Sequence, residues 1–193
     1  MPREAVFNKD QVIEKAKNVF WLKGYNATSM QDLVDATGLN RSSIYNSFGN
    51  KMNLFQLTLS KYQKEGSGFF EVLISSKLNG LETVSSVFET TLKMMINDSD
   101  RKGCMFINCH TEMSNQDIQL NNITAKNHKL LLSHFETMVL KGQKDGSIKT
   151  NQKSDELAFY LASSFQGFRI TGMNTTNKKM LASIIEHILT TIE

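Results

Sequence analysis

Residues 29–51, SMQDLVDATGLNRSSIYNSFGNK, read as two short helices joined by a tight turn, with a third helix opening at the end. Ser29 is placed to cap the first helix, because its hydroxyl takes a free amide of the first turn and Asp32, three residues on, completes a capping box. The helix therefore starts near Met30. Leu33, Val34 and Ala36 give it a short apolar face, and Gly38 ends it, since glycine enters a left-handed helix terminus without steric cost. The chain turns at Gly38 and Leu39, and Asn40 caps a second helix. There Ile44 and Phe48 lie four apart on one side, while Arg41, Ser42, Ser43, Tyr45, Asn46 and Ser47 fill the rest. A helix turned inward by so few apolar groups, and covered outward by hydrogen-bonding groups and one arginine, suits the recognition helix of a helix-turn-helix in a DNA major groove.

Residues 38–51, Gly-Leu-Asn-Arg-Ser-Ser-Ile-Tyr-Asn-Ser-Phe-Gly-Asn-Lys, follow the order glycine, aliphatic, small polar, two variable, small, aliphatic, tyrosine, two variable, aromatic, two variable, lysine. This resembles the recognition-helix signature of the TetR family of one-component transcriptional regulators, and the likeness extends from about Lys9 to Phe55. Gly24-Tyr25-Asn26-Ala27-Thr28 is similar to the connection that precedes the motif in that family. Gly103-Cys104 and the apolar run to Asn108 resemble the sixth helix of one branch of it. The resemblance implies an all-α chain of about nine helices. It implies a helix-turn-helix head over residues 1–50, a long linking helix from about 50 to 76, and a ligand-binding and dimerisation body over 51–193.

Composition agrees with such a chain. At 193 residues and 40% apolar content a sizeable core is within reach, and one proline with no alternating apolar runs favours helices throughout. No apolar run approaches the roughly 18–20 residues that span a bilayer, and the N-terminus lacks the apolar segment of a signal peptide, so a cytoplasmic location is expected. Residues 1–65 hold nine Lys and Arg against six Asp and Glu, while the remaining 128 residues hold thirteen of each. The whole net charge of +3 thus falls in the segment expected to face phosphates.

Apolar periodicity then places the other helices. Val12, Ile13, Ala16, Val19 and Phe20 recur at helical spacing, leaving Lys9, Lys15, Lys17 and Lys23 outward. Asn50-Lys51 opens the linking helix, which Gly66-Ser67-Gly68 either softens or breaks. Further helices are expected over 80–97, around Cys104–His110, over 118–144, 154–173 and 177–192. The last two are apolar over more of their circumference than one core contact needs, which predicts a homodimer closed through Leu161, Phe168, Leu181, Ile185, Ile188 and Leu189.

The expected DNA contacts divide by position on the exposed arc. Arg41, Ser42, Ser43 and Asn46 are placed to read base edges, and Thr28, Ser29, Tyr45, Ser47 and Lys51 to hold phosphates, with Gln31 and Asn40 completing the set. In the body, Met95, Phe106, Met113, Phe135, Met138 and Phe165, with the polar His110, His128, Gln166 and Arg169, are expected to receive a small apolar or amphipathic effector. Cys104 and Cys109, five apart in an apparent helix and so about 140° apart around it, read as reduced thiols. Their spacing matches no zinc motif, and no nucleophile elbow or phosphate loop occurs, so neither a metal, a cofactor nor catalysis is expected. The functional expectation is a sequence-specific regulator, a repressor released from a near-palindromic operator by a small molecule. The alternative is a helical architectural or partner-binding protein without induction.

Overall fold

The computed structural model describes residues 7–193, so Arg3 and Glu4 of the charge count lie outside the described residues. Among them the regular elements are all helices: α1 (Lys9–Lys23), α2 (Met30–Thr37), α3 (Arg41–Phe48), α4 (Lys51–Ile74), α5 (Gly80–Asn97), α6 (Met105–Met113), α7 (Ile118–Asp145), α8 (Ser154–Asn174) and α9 (Lys178–Ile192). None is long and apolar enough to cross a membrane.

Most boundaries follow from local chemistry. Asn8, Ser29, Asn40, Asn50, Asn79, Asp117 and Asn177 each accept a first-turn amide with the side chain, which satisfies donors that a helix start leaves unpaired. Gly38 closes α2 in the left-handed conformation, at φ 75° and ψ 7°. Gly66 and Gly68 do not break α4, which runs unbroken to Ile74.

Two apolar clusters organise these helices. One joins α1, α2, α3 and the first half of α4, through Val12, Phe20, Leu33, Ile44, Phe48, Leu54 and Phe55. It also takes in Met105, Phe106, Cys109 and Met113 of α6 and Leu120 of α7, so α6 packs with the head. The other gathers α5, α7, α8 and α9 around Phe88, Phe135, Phe165 and Phe168, with Phe70 of α4 reaching into it. The helix α4 therefore contributes side chains to both.

Several expectations are corrected by this packing. Phe106 and Met113, expected among the body's effector contacts, pack in the head cluster, Phe106 against Tyr62 of α4. Leu161, Phe168, Leu181, Ile185 and Ile188 are buried against the subunit's own core, and Leu189 packs on it. The inward faces of α8 and α9 are thus spent within the subunit, because two-sided apolar helices do not reveal from sequence which side the core takes. Lys17 is not outward but 4% exposed, its amine bonded to Glu14 at 2.8 Å and to Glu65 of α4 at 2.6 Å. Cys104 sits at the N-cap of α6, outside the helix, while Cys109 is buried inside it and burial pushes its thiol up to about 12.

Candidate nucleic-acid interface

The interface is built from α2, its turn and α3. Ser29 Oγ accepts from the Asp32 amide at 3.1 Å, while the Asp32 carboxylate accepts from the Ser29 amide at 2.8 Å and from its hydroxyl at 2.7 Å. Lys23 Nζ donates to the same carboxylate at 2.5 Å. That bond, with those from Ser29, holds the Asp32 carboxyl far below the usual carboxylate range. The entry to α2 is consequently fixed by Lys23 at the end of α1, the cap Ser29 and Asp32 in the first turn of α2.

Only Ile44, 1% exposed, and Phe48, 6% exposed, anchor α3 to the core. Asn40 Oδ1 accepts from the Ser43 amide and from the Ser42 hydroxyl, both at 2.8 Å, which orders the first turn. Arg41, Ser42, Tyr45 and Asn46 are exposed, and Ser43 and Ser47 are half-buried on the flanks of the same arc. Gln31 is exposed on α2 and donates to Asp35 at 2.8 Å. A short polar helix standing outward on two apolar pins can enter a groove without disturbing the core.

Two of the residues expected to grip phosphate behave differently. Thr28 is 1% exposed and its hydroxyl donates to the Gly24 carbonyl at 2.6 Å, so it serves the turn and is withdrawn from the DNA side. Lys51 Nζ stands 4.3 Å from the centre of the Tyr25 ring, a cation–π contact, and burial draws its pKa down. It remains half-exposed at the start of α4.

One residue with a structural part in the interface had no local sequence signal. Glu112 of α6 accepts from the backbone amides of Tyr25 at 2.9 Å and of Asn26 at 2.6 Å, in the turn between α1 and α2. A Cβ on Gly24, where φ is +79°, would meet that carboxylate at 2.7 Å. The partners are 87 and 86 positions apart, beyond the reach of any spacing rule.

A basic, all-helical chain that projects a polar helix from a compact helix-turn-helix belongs to the class of DNA-binding transcriptional regulators. Comparison with known proteins makes the class specific. Residues 12–57 match the model for bacterial regulatory proteins of the tetR family, and residues 80–188 match the tetracyclin repressor-like C-terminal domain. The chain belongs to the TetR family. The transcriptional repressor ComR of Escherichia coli K12 is 27% identical over 183 residues, covering 94% of this chain and 87% of that protein. The repressor DhaR of Mycobacterium sp. strain GP1 is 25% identical over 163 residues, 82% and 79% of the two chains. In fold, a cysteine mutant of the TetR family regulator CifR, complexed with a 26 bp double-strand operator DNA, superposes with a TM-score of 0.87 at 21% identity, over 97% of this chain and 98% of that one.

Proposed function

We propose that the protein is a homodimeric repressor that holds a near-palindromic operator through α3 and leaves it when a small molecule enters the body. The observation that carries the reading is α3 itself, whose polar arc of Arg41, Ser42, Tyr45 and Asn46 faces outward while only Ile44 and Phe48 turn in. Arg41 and Asn46, with Ser42 and Ser43, meet base edges; Ser29, Tyr45, Ser47 and Lys51 lie on the flanks that run along phosphates.

Dimerisation falls to the outer faces of α8 and α9. Phe159 is 57% exposed, Ile170 45% and Met180 59%, large apolar groups that a lone subunit leaves in water. On α8 the exposed Ser163 and Gly167 lie between Phe159 and Ile170 and allow a partner helix close approach. A two-fold axis through this face gives each dimer two copies of α3, hence inverted half-sites.

The effector reading rests on the body. Met95 is half-buried, and Phe135, Met138 and Phe165 are buried between α4, α5, α7 and α8, where His128 Nδ1 lies 3.4 Å from Gln166 Nε2. His110 is exposed on α6, its ring bonded to the buried Thr124 of α7 at 3.1 Å. The test is selection of bound fragments from random DNA with the purified protein, followed by competition with small molecules. Specific retention with release supports the reading, and retention without sequence preference would leave an architectural role instead.

A further inference from the structure

Arg169 is a body cation whose neighbours include the Cys104 thiol and the Tyr62 phenol but no carboxylate. Its Nη2 donates to the Tyr62 hydroxyl and to the Gly103 carbonyl, both at 2.9 Å, and its Nε is buried with no hydrogen-bond partner. Among the described residues it enters no ion pair. Burial disfavours the guanidinium, but Cys104 and Tyr62 beside it more than offset this and its pKa is raised; neither neighbour is a carboxylate. A desolvated guanidinium is costly unless paired with an anion, and its planar fork matches a carboxylate with two parallel bonds.

The surroundings are aromatic. The guanidinium carbon lies 5.9 Å from the centre of the Phe165 ring, and Phe165 meets Phe70 edge-on at 6.0 Å. Phe70 stacks at 4.9 Å on His134, whose Nε2 is, among the described residues, the other buried side-chain nitrogen without a partner. Two unsatisfied polar atoms at the ends of an apolar track, one of them cationic, are a recognition pattern for an organic acid. Resting on the proposal that the body takes a small molecule, we infer that the effector is an amphipathic carboxylate, bound through Arg169, with its apolar part displacing the Phe165–Phe70 contact and a second hydrogen bond at His134.

The same site touches the parts that hold the head. The Gly103 carbonyl also accepts from Trp21 Nε1 of α1 at 3.2 Å, and Trp21 packs edge-on against Tyr62 of α4 at 5.0 Å. Gly103 leads into α6, whose Glu112 holds the turn before α2. A carboxylate that captures Arg169 removes the donor from Tyr62 and Gly103 together. Ligand binding is thereby set against the arrangement seen here, as an inducer requires.

The experiment titrates the full-length protein, free and on a selected operator, with 4-phenylbutyrate and decanoate against 4-phenylbutanol and decanol. The acids are expected to bind and release the operator, and the matched alcohols to bind about tenfold or more weakly, the size of a lost charge-assisted bond. In the free protein Arg169→Gln should lose that preference and, lacking the guanidinium donor to Tyr62 and Gly103, it should hold the operator more weakly than wild type does. Tyr62→Phe, which removes a competing acceptor, should bind the acids more tightly, a gain that misfolding does not produce. Alcohols as potent as acids in both wild type and Arg169→Gln, or no binding by either acid, would overturn the inference and leave the repressor reading standing. Arg169-dependent acid binding that leaves the operator occupied would support the site and defeat the induction reading. Release only by oxidants, lost in Cys104→Ser, would overturn the carboxylate effector.

Discussion

Arg41 and Lys51 carry the same charge ten residues apart in different surroundings, and the proposed function gives them different work. Arg41 is exposed at the start of α3, whereas Lys51 is half-buried over the Tyr25 ring at the start of α4. Replacing Arg41 by Ala is expected to cost about 1–3 kcal/mol on the specific site and to relax preference at one base pair. Lys51→Ala should weaken specific and random DNA alike and lower the salt slope by about one, measured by fluorescence anisotropy across a salt series. Equal losses on both DNAs for Arg41→Ala would remove it from base readout. A second residue-scale consequence concerns His134, whose pKa burial lowers from 6.5 despite the nearby Glu71. Between that lowered value and 6.5 the unfolded chain binds more protons than the folded one, so stability falls as pH drops through this window. Urea unfolding should show the acid-side slope, and His134→Phe should flatten it; an unchanged slope would place the titrating group elsewhere. At this scale the sequence was only partly legible. The cap at Ser29 with Asp32 is local chemistry and was readable; the hydroxyl of Thr28 turning back to Gly24, four residues earlier, is equally local but leaves open whether the side chain faces the turn or the DNA, and Glu112 reaching Tyr25 and Asn26 depends on a fold of the chain that no spacing records.

Among the elements, α4 connects head and body and carries two glycines where α-helix favours other residues. Neither Gly66 nor Gly68 has an atom within 4 Å of a built Cβ, so alanine fits at both. Each Gly→Ala change there should stabilise the protein by about 0.5–1 kcal/mol by removing backbone freedom from the unfolded chain. The double variant should raise the urea midpoint and, if bending of α4 transmits induction, reduce the response to effector at unchanged operator affinity. A lowered midpoint would mean that the glycines are required by the folded state. Helix positions were legible because caps, glycine ends and the 3.6-residue period all act within a few residues. The path of α4 through Gly66–Gly68 was not, since there tertiary packing of Phe70 and its neighbours outweighs a weak local preference.

For the whole molecule, the division into two apolar clusters turns one face of α8 and of α9 into the subunit's own core, so the dimer proposed above falls to their outer faces. Ile185 and Leu161 are as apolar as Phe159 and Ile170, and only the assembled subunit shows that the first pair is used inside. Phe159→Asp with Ile170→Asp should therefore keep the helical content of the subunit and yield a monomer by light scattering, with operator affinity lost. A dimer that persists in this variant would move the interface elsewhere.

The measurement that bears most directly on the central claim is selection from randomised DNA, run in parallel with wild type and Arg41→Ala. The wild-type protein should retain inverted half-sites with centres about one helical turn, or a multiple of it, apart. Arg41→Ala should retain the same arrangement with preference relaxed at one pair in each half. Retention of sequences with no shared half-site, or an unchanged preference in the variant, would contradict the assignment of α3 as the reading helix.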